Sequence, residues 1–242
     1  MTRLSTVAGT AAVALAAANS APTLALLRPL GPRFGPRLVG LGRAGHVALT
    51  FDDGPDPTST PAILDCLAAL DCHATFFLLG RMVDEAPEIA AQIVSRGHEI
   101  AVHGDRHRSA LIRSPRQLHD DLRTARDKIR QATGCEPRWF RPPYGHLSVT
   151  AWRAARALGL DTILWTAWGR DWRADATAAS VVDDVGRGVL DGGTILLHDS
   201  DCTSSPRSWR ATLDALPPLV AQLRSRRLEP GPLRDHWAPQ SH

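Results

Sequence analysis

Lysine and tyrosine are almost missing from this chain of 242 residues, in which Lys128 is the only lysine and Tyr144 the only tyrosine. Positive charge is therefore carried by arginine, and the formal net charge is only +3. No compact basic stripe with interleaved aromatic residues, the sign of a nucleic-acid surface, occurs in the sequence. We expect no nucleic-acid partner.

Cysteine is also scarce, and its spacing excludes a zinc finger or zinc ribbon. None of the four cysteines forms a CxxC pair with another. Export would permit disulfides, but the sequence leaves their pairing open. The length suits one large α/β domain and demands no second one.

Charged residues are absent between Arg3 and Arg28. Residues 7–18 are apolar and rich in alanine, and small residues follow, as in a secretory signal. The uncharged run is also long enough to cross a bilayer. We predict a signal peptide or membrane anchor at residues 1–27, with a disordered tail as the alternative, and a Pro/Gly-rich linker at residues 28–43. The expected location is secreted or in the cell envelope, with membrane association through the N-terminus as the second possibility.

From residue 46 onward, strand-like and helix-like segments alternate. Helix starts are predicted at Thr60-Pro61, Pro87, Ser114-Pro115, Ser148 and Thr177. Strands are predicted at residues 46–51, 74–79, 98–102, 138–140, 162–166 and 194–197. This alternation predicts a parallel sheet closed or nearly closed into a barrel. An open doubly wound sheet is the alternative, although the Gly-rich dinucleotide turn is missing.

Polar side chains follow the predicted strands at their carboxyl ends, where the active groups of such barrels gather. In chain order they are Asp52-Asp53, His103, Arg141, Asp171 and His198. One such residue could be coincidence, but the repeated placement predicts an active site at this end of the barrel.

His103 and His107 are four residues apart, which on a helical turn puts both rings on one face. Two histidines and one carboxylate make a catalytic zinc set with a position left for water. Because neighbours in a strand point to opposite sides, we expect one aspartate of the Asp52-Asp53 pair to bind the metal and the other to act as a base. Solvated surface histidines are the alternative.

The remaining strand-end residues suit acid catalysis and sugar binding. His198 fits the acid that protonates a leaving group, with Asp171 orienting it and raising its pKa. Arg141, held by a rigid Pro-Pro segment, would orient the base. The alternatives are a structural strand-end histidine and an exposed loop arginine. Trp165, Trp168 and Trp172 cluster at one strand end and suit sugar rings, although core packing would also explain them.

The chain resembles the polysaccharide deacetylases of carbohydrate esterase family 4, the NodB-like domain, over about residues 44–234. Five segments match the family's motifs in order: Thr50-Phe51-Asp52-Asp53-Gly54-Pro55, His103 with His107, Arg141-Pro142-Pro143-Tyr144, Asp171-Trp172, and Leu196-Leu197-His198. The resemblance implies a single distorted (β/α) barrel, followed here by a C-terminal tail at residues 235–242.

The resemblance also implies a role for each matched residue. The catalytic set comprises Asp52 as base, His198 as acid, Arg141 tethering the base and Asp171 tuning the acid. The metal ligands are Asp53, His103 and His107. The substrate-binding residues are Tyr144, whose backbone N–H meets the oxyanion, Trp172 and Leu196. The chain departs from the family's pattern at Gly104, where Ser or Thr is usual, and at Trp168, where another Asp is frequent.

The implied activity is metal-dependent removal of acetyl groups from an acetylated glycan, either chitooligosaccharide or peptidoglycan, by a monomer. Zinc is the expected metal, with cobalt or nickel as alternatives. An O-acetyl (xylan) esterase and a non-catalytic carbohydrate-binding barrel are the competing functions.

Overall fold

The structure is a computed structural model that describes residue 14, residues 16–26 and residues 34–237. Residues 1–13, 15 and 27 of the predicted leader, 28–33 of the predicted linker and 238–242 of the predicted tail lie outside the described residues. Within the part that is described, no helix is both long enough and apolar enough to cross a membrane.

The described chain alternates between strands and helices, as the sequence predicts. The strands are β1 (His46–Asp52), β2 (Thr75–Leu78), β3 (Glu99–Val102), β4 (Trp139–Phe140), β5 (Asp161–Thr162), β6 (Ala167–Trp168), β7 (Thr194–His198) and β8 (Glu229–Gly231). The helices are α1 (Ser59–Ala69), α2 (Gly80–Glu85), α3 (Pro87–Ser95), α4 (Pro115–Thr133), α5 (Val149–Ala157), α6 (Ala178–Gly188), α7 (Trp209–Ser225) and α8 (Leu233–His236). Three short 3₁₀ segments are Ala21–Leu26, Ala110–Ile112 and Pro143–Gly145.

All strand pairs are parallel, in the order β5-β4-β3-β2-β1-β7-β6, and β8 pairs with the start of β1. The predicted strand at residues 162–166 is wrong: β5 and β6 lie at opposite edges of the sheet. The residues between them bridge the edges, since Ile163 N–H donates to Phe140 O and Thr166 N–H to Thr194 O. The sheet therefore curls round on itself, and the predicted distorted (β/α) barrel is confirmed.

The helix ends follow local sequence signals. Ser114 and Gln117 cap α4 reciprocally, and the helix stops at Gly134, whose φ of 71° is open to glycine. Thr177 caps α6 and Ser148 caps α5 through their side-chain oxygens. Pro217 and Pro218, predicted to kink or start a helix, lie inside α7.

The alternation of side chains along the strands separates two cores. Val47, Leu49 and Phe51 of β1 pack outward into the large cluster beneath the helices. Ala48 packs inside the barrel in a second cluster, whose other buried members are Phe77, Ala101, Trp139, Ile163 and Leu233. Because the period of a strand is two, Asp52 lies on the interior side together with Ala48. By the same alternation, His103, Arg141 and His198 lie on the interior side at the ends of β3, β4 and β7.

The end of the predicted leader packs against the domain. Asn19 Oδ1 accepts hydrogen bonds from the backbone N–H and hydroxyl of Thr150, at the start of α5. Thr23 donates to the carbonyl of Leu147. Ala25 is buried in a small cluster with Leu164 and with Val39, which belongs to the predicted linker. Both segments therefore contact the barrel in this structure.

Candidate active site

The chain turns sharply at the end of β1, where the two adjacent aspartates lie. Asp52 ends the strand, and Asp53 has a φ of 82°. This turn cancels the expected opposition of neighbouring side chains, so the prediction that the two carboxylates point apart is wrong. His103 Nε2 lies 3.7 Å from Asp52 Oδ2 and 3.5 Å from Asp53 Oδ1. Both carboxylates therefore lie beside the same imidazole nitrogen.

Asp199 supports this turn from below. It is fully buried, and its carboxylate accepts hydrogen bonds from Gly54 N–H (3.1 Å) and from the Thr60 hydroxyl (2.5 Å). A side chain on Gly54 would collide with the Asp199 carboxylate, so residue 54 must be glycine here. Burial raises the pKa of Asp199 to about 7.

Asp53, His103 and His107 form a three-residue cluster whose ligand atoms all lie within 4.8 Å of one another. Asp53 Oδ1 is 3.3 Å from His107 Nε2 and, although buried, has no hydrogen-bond donor. A buried carboxylate oxygen without a donor is costly unless a cation meets it. One oxygen and two imidazole nitrogens match a catalytic zinc set with an open position, so the residues present fit a divalent metal.

The two histidines converge because of their loop and not because of a helix. Residues 103–109 form no helical turn, contrary to the prediction. Gly104 and His107 are left-handed, with φ of 89° and 48°, and these turns bring the two rings to a centroid distance of 5.2 Å. Asp121 lies 3.0 Å from the position of a Cβ on Gly104. The Ser or Thr expected from the family resemblance would therefore be strained at residue 104.

The protonation of His103 follows from its neighbour. His103 Nδ1 lies 2.8 Å from the carbonyl oxygen of Arg141. Because a carbonyl only accepts hydrogen bonds, Nδ1 carries the proton and the lone pair of Nε2 is free for a metal. Burial lowers the pKa of His103 well below its ordinary value, which keeps the ring neutral as a ligand.

Asp52 is tied to a buried arginine. Arg141 Nη1 donates to Asp52 Oδ1 (2.7 Å) and to the Thr50 hydroxyl (2.8 Å), while Nη2 donates to the carbonyl of Leu164 (3.2 Å). The guanidinium also stacks 4.0 Å from the ring centroid of Phe77. Burial raises the pKa of Asp52 to about 6 although Arg141 opposes this shift. Asp52 is therefore ionised at neutral pH yet basic enough to accept a proton.

His198 is held on the opposite wall by Asp171. Its Nδ1 and its backbone N–H each lie 2.8 Å from an oxygen of Asp171, and the Thr212 hydroxyl donates to the same carboxylate at 2.6 Å. Burial alone lowers the pKa of His198, but Asp171 outweighs it and raises the pKa to about 10. His198 is therefore a charged imidazole at neutral pH, and its Nε2 is left for the pocket.

A cavity of about 290 Å³ lies between these groups. Asp52, His103, His107 and His198 line it. The predicted substrate-binding residues Tyr144, Trp172 and Leu196 line it as well, together with Trp165, Trp168, Thr203 and Ser204. Tyr144 is 57% exposed and lies at the rim. The structure thus brings together at one pocket or directly behind it every site residue predicted from the sequence.

Three supporting residues were not predicted: Thr203, Thr212 and Asp199. Thr203 donates a 2.5 Å hydrogen bond to Asp53 Oδ2, the oxygen that does not face the histidines. No sequence signal marks Thr203 or Thr212, which reach their partners from distant segments. Asp199 could have been suspected from its position next to His198.

The four cysteines take no part in this chemistry. All four thiols are free. Cys202 approaches the carbonyl of Asp53 at 3.5 Å, but burial raises the pKa of its thiol to about 11. Cys202 is therefore a neutral thiol at physiological pH and no nucleophile.

Comparison with known proteins identifies relatives of this chain. The sequence model of the polysaccharide deacetylase family matches residues 42–163. A peptidoglycan-N-acetylglucosamine deacetylase of Bacillus cereus is 38% identical over 156 residues, which are 63% of this chain and 72% of that protein. A chitooligosaccharide deacetylase of a Bradyrhizobium species is 35% identical over 204 residues, 81% of this chain and 90% of that protein.

A solved structure with the same fold comes from a CE4 family pseudoenzyme of Bacillus anthracis. The TM-score is 0.73 at 27% identity, and the match covers 81% of this chain and 66% of that one. Since a pseudoenzyme shares the fold, activity has to be argued from the groups in the pocket.

Proposed function

Since the chain belongs to the polysaccharide deacetylase family, we propose that it is a metal-dependent hydrolase that removes acetyl groups from N-acetylglucosamine units of chitooligosaccharide or peptidoglycan. One observation carries the proposal: two groups with opposite tasks face one pocket. Asp52 has a pKa raised to about 6, and His198 is kept protonated by Asp171. A base and an acid whose pKa values are set apart by their surroundings are the mark of acid–base catalysis.

Asp53, His103 and His107 would hold the metal, with zinc as the first candidate and cobalt or nickel as alternatives. When bound, such an ion supplies an acidified water and polarises the carbonyl under attack. Thr203 restrains the second oxygen of Asp53, and Arg141 fixes the tautomer of His103.

The protein's own groups divide the proton transfers. Asp52 Oδ2, the oxygen not bonded to Arg141, takes a proton from the attacking water as its oxygen bonds to the acetyl carbon. The backbone N–H of Tyr144 would donate to the oxyanion that develops. His198 Nε2 then protonates the amine nitrogen as the C–N bond breaks, which releases acetate and the free amine.

The test is acetate release by the metal-loaded protein on chitooligosaccharides, peptidoglycan and acetylated xylan, with and without a chelator. We expect release from at least one of the two N-acetylated glycans and its loss with chelator. Release from acetylated xylan alone would make the protein an O-acetyl esterase. Glycan binding with no release from any substrate would make it a non-catalytic carbohydrate-binding barrel, which the catalytic set described above argues against.

We also propose that the protein acts outside the cytoplasm, in the cell envelope or secreted, because residues 4–27 carry no charge. The contacts of Asn19 and Thr23 with the barrel add a condition: cleavage after residue 26 would remove both. N-terminal sequencing of the mature protein tests this. A start at Met1 in a cytosolic fraction would contradict the proposal.

A further inference from the structure

Two exposed aromatic side chains lie at the rim of the pocket, on different sides of it. Among the described residues, Tyr144 and Trp168 are the exposed large apolar side chains that line it, 57% and 36% exposed. The Tyr144 ring lies 4.4 Å from that of the metal-site residue His107. Trp168 lies 5.1 Å from Trp172, which meets the acid His198 edge-on at 5.7 Å. Tyr144 therefore lies on the side of the proposed metal site, and Trp168 lies on the side of the proposed acid.

The pocket is too small for a glycan chain. Its 290 Å³ lies just below the range of about 300–1,000 Å³ that ligand pockets span. It suits one sugar unit with its acetyl group, so the neighbouring units of a polymer must lie outside it. A path across a rim is therefore required.

A second hollow also borders Trp168. It has a volume of about 250 Å³, and Trp168, Arg170 and Asp184 are among its lining residues. Trp168 lines both cavities and is the shared wall between them. A chain leaving the catalytic pocket on the acid side would meet this indole.

We propose that Trp168 is the binding platform for the sugar unit next to the one that is deacetylated. The proposal rests on the proposed function and deepens it: the substrate must contain at least two linked sugar units. An indole offers a large flat apolar surface with few torsions to immobilise. Trp165 at 5.9 Å and the Arg170 guanidinium at 5.2 Å from the Trp168 ring hold it in place.

Trp152 provides a matched control. It is 40% exposed and also lies beside an arginine, with the Arg156 guanidinium 5.7 Å from its ring. It sits on α5 and lines neither cavity. An exposed Trp–Arg pair is thus present twice, but only one copy borders the catalytic pocket.

The experiment compares Trp168→Ala, Trp168→Phe and Trp152→Ala on substrates of increasing length. The substrates are N-acetylglucosamine, its di- and tetrasaccharide, and peptidoglycan fragments of the same lengths. We expect Trp168→Ala to lower kcat/KM about tenfold more on the longer substrates than on the monosaccharide, mainly through KM. Trp168→Phe should restore most of the loss, and Trp152→Ala should change nothing. The glycan series that shows the loss identifies the source of the second sugar.

An equal loss at every length, or no loss, would overturn the proposal. If the wild-type protein releases no acetate at all, the proposed function fails but the platform can still be measured. Calorimetric binding of the tetrasaccharide that weakens about tenfold in Trp168→Ala would support it. Unchanged binding, or none by the wild type, would refute it.

Discussion

The two ends of the barrel each contain buried histidines, and the ends differ in the carboxylates that lie beside these rings. β1 begins at His46 and ends at Asp52, while β3 follows His98 and precedes His103. At the amino end, His46 pairs with His236 at 2.8 Å between their Nδ1 atoms, and His98 accepts a hydrogen bond from the backbone of Ala74. At the carboxyl end, the histidines face Asp53 or Asp171.

The difference lies in the carboxylates and not in the histidines. At the amino end burial wins, and the pKa falls to about 3 for His46 and to about 4 for His98. At the carboxyl end burial also lowers the pKa of His103 and of His107. For His198, Asp171 reverses this effect and raises the pKa to about 10. Among these buried histidines, the pKa is raised only for His198, the ring that is hydrogen-bonded directly to a buried carboxylate.

The largest expected effect comes from comparing replacements of the two histidines that flank β3, His98 before the strand and His103 after it. His103→Ala removes a ligand, so we expect loss of bound metal and a fall in activity beyond the ~10²–10⁴-fold that loss of a base alone produces. His98→Ala should leave metal content unchanged. Metal analysis after dialysis and acetate release measure both. Equal metal loss in the two variants would break the comparison between the ends.

The next largest effect distinguishes the proposed roles of the two adjacent aspartates, Asp52 and Asp53. Asp52→Asn keeps the shape but cannot accept the proton, so we expect kcat to fall about 10²–10⁴-fold with the metal still bound. Asp53→Asn should lose the metal itself. If Asp52→Asn retains a near wild-type rate, Asp52 is not the base.

A smaller effect tests the charge on His198. In Asp171→Asn the interaction that raises its pKa is lost while burial still lowers it, so the pH above which kcat/KM declines should move to lower values. We expect a loss of about 10²-fold at neutral pH, recovered in part under more acidic conditions. A pH–rate profile parallel to that of the wild type would show that Asp171 does not tune this acid.

The smallest effect concerns stability at the amino end. The folded-state pKa of His98 lies below its ordinary value of 6.5, so below pH 6.5 the unfolded chain binds more protons than the folded one. Stability is then fully present above pH 6.5 and is lost as the pH falls toward 4. His98 alone should cost about 2 kcal/mol at pH 5.

Denaturant unfolding at pH 8, 6 and 5 measures this loss. His98→Asn should flatten the pH dependence, and His119→Asn on the surface of α4 should not. If the free energy of unfolding of His98→Asn falls with decreasing pH as steeply as that of the wild type, groups other than His98 cause the loss of stability in acid.

Much of the fold could be predicted because its signals are local. The caps at Ser114, Ser148 and Thr177 and the stop at Gly134 depend on residues within one turn. The strand predicted at residues 162–166 failed because these residues cross from β5, at one edge of the curled sheet, to β6 at the other edge. The three-residue strand β8 was missed because its sequence, Glu-Pro-Gly, carries no strand signal.

The candidate site could be predicted as a set of residues but not as a geometry. Polar residues at successive strand ends must meet because parallel strands share a carboxyl end, and this reasoning located Asp52, His103, Arg141 and His198. The turn at Asp53 and the loop holding His107 contradicted expectations based on regular strands and helices. Left-handed conformations of residues other than glycine are uncommon, and local sequence does not announce them.

The sequence alone is enough to predict the chemical groups of the site: an oxygen and two nitrogens proposed for a metal, a proposed base with its arginine and a proposed acid with its aspartate. The pKa values of these groups and the shape of the pocket around them depend on the tertiary structure. Thr203 and Thr212 reach Asp53 and Asp171 across 150 and 41 residues of chain, and Trp168 separates two cavities that exist only after the sheet has curled. Charge in a protein interior depends on what surrounds it, and those surroundings are assembled by folding.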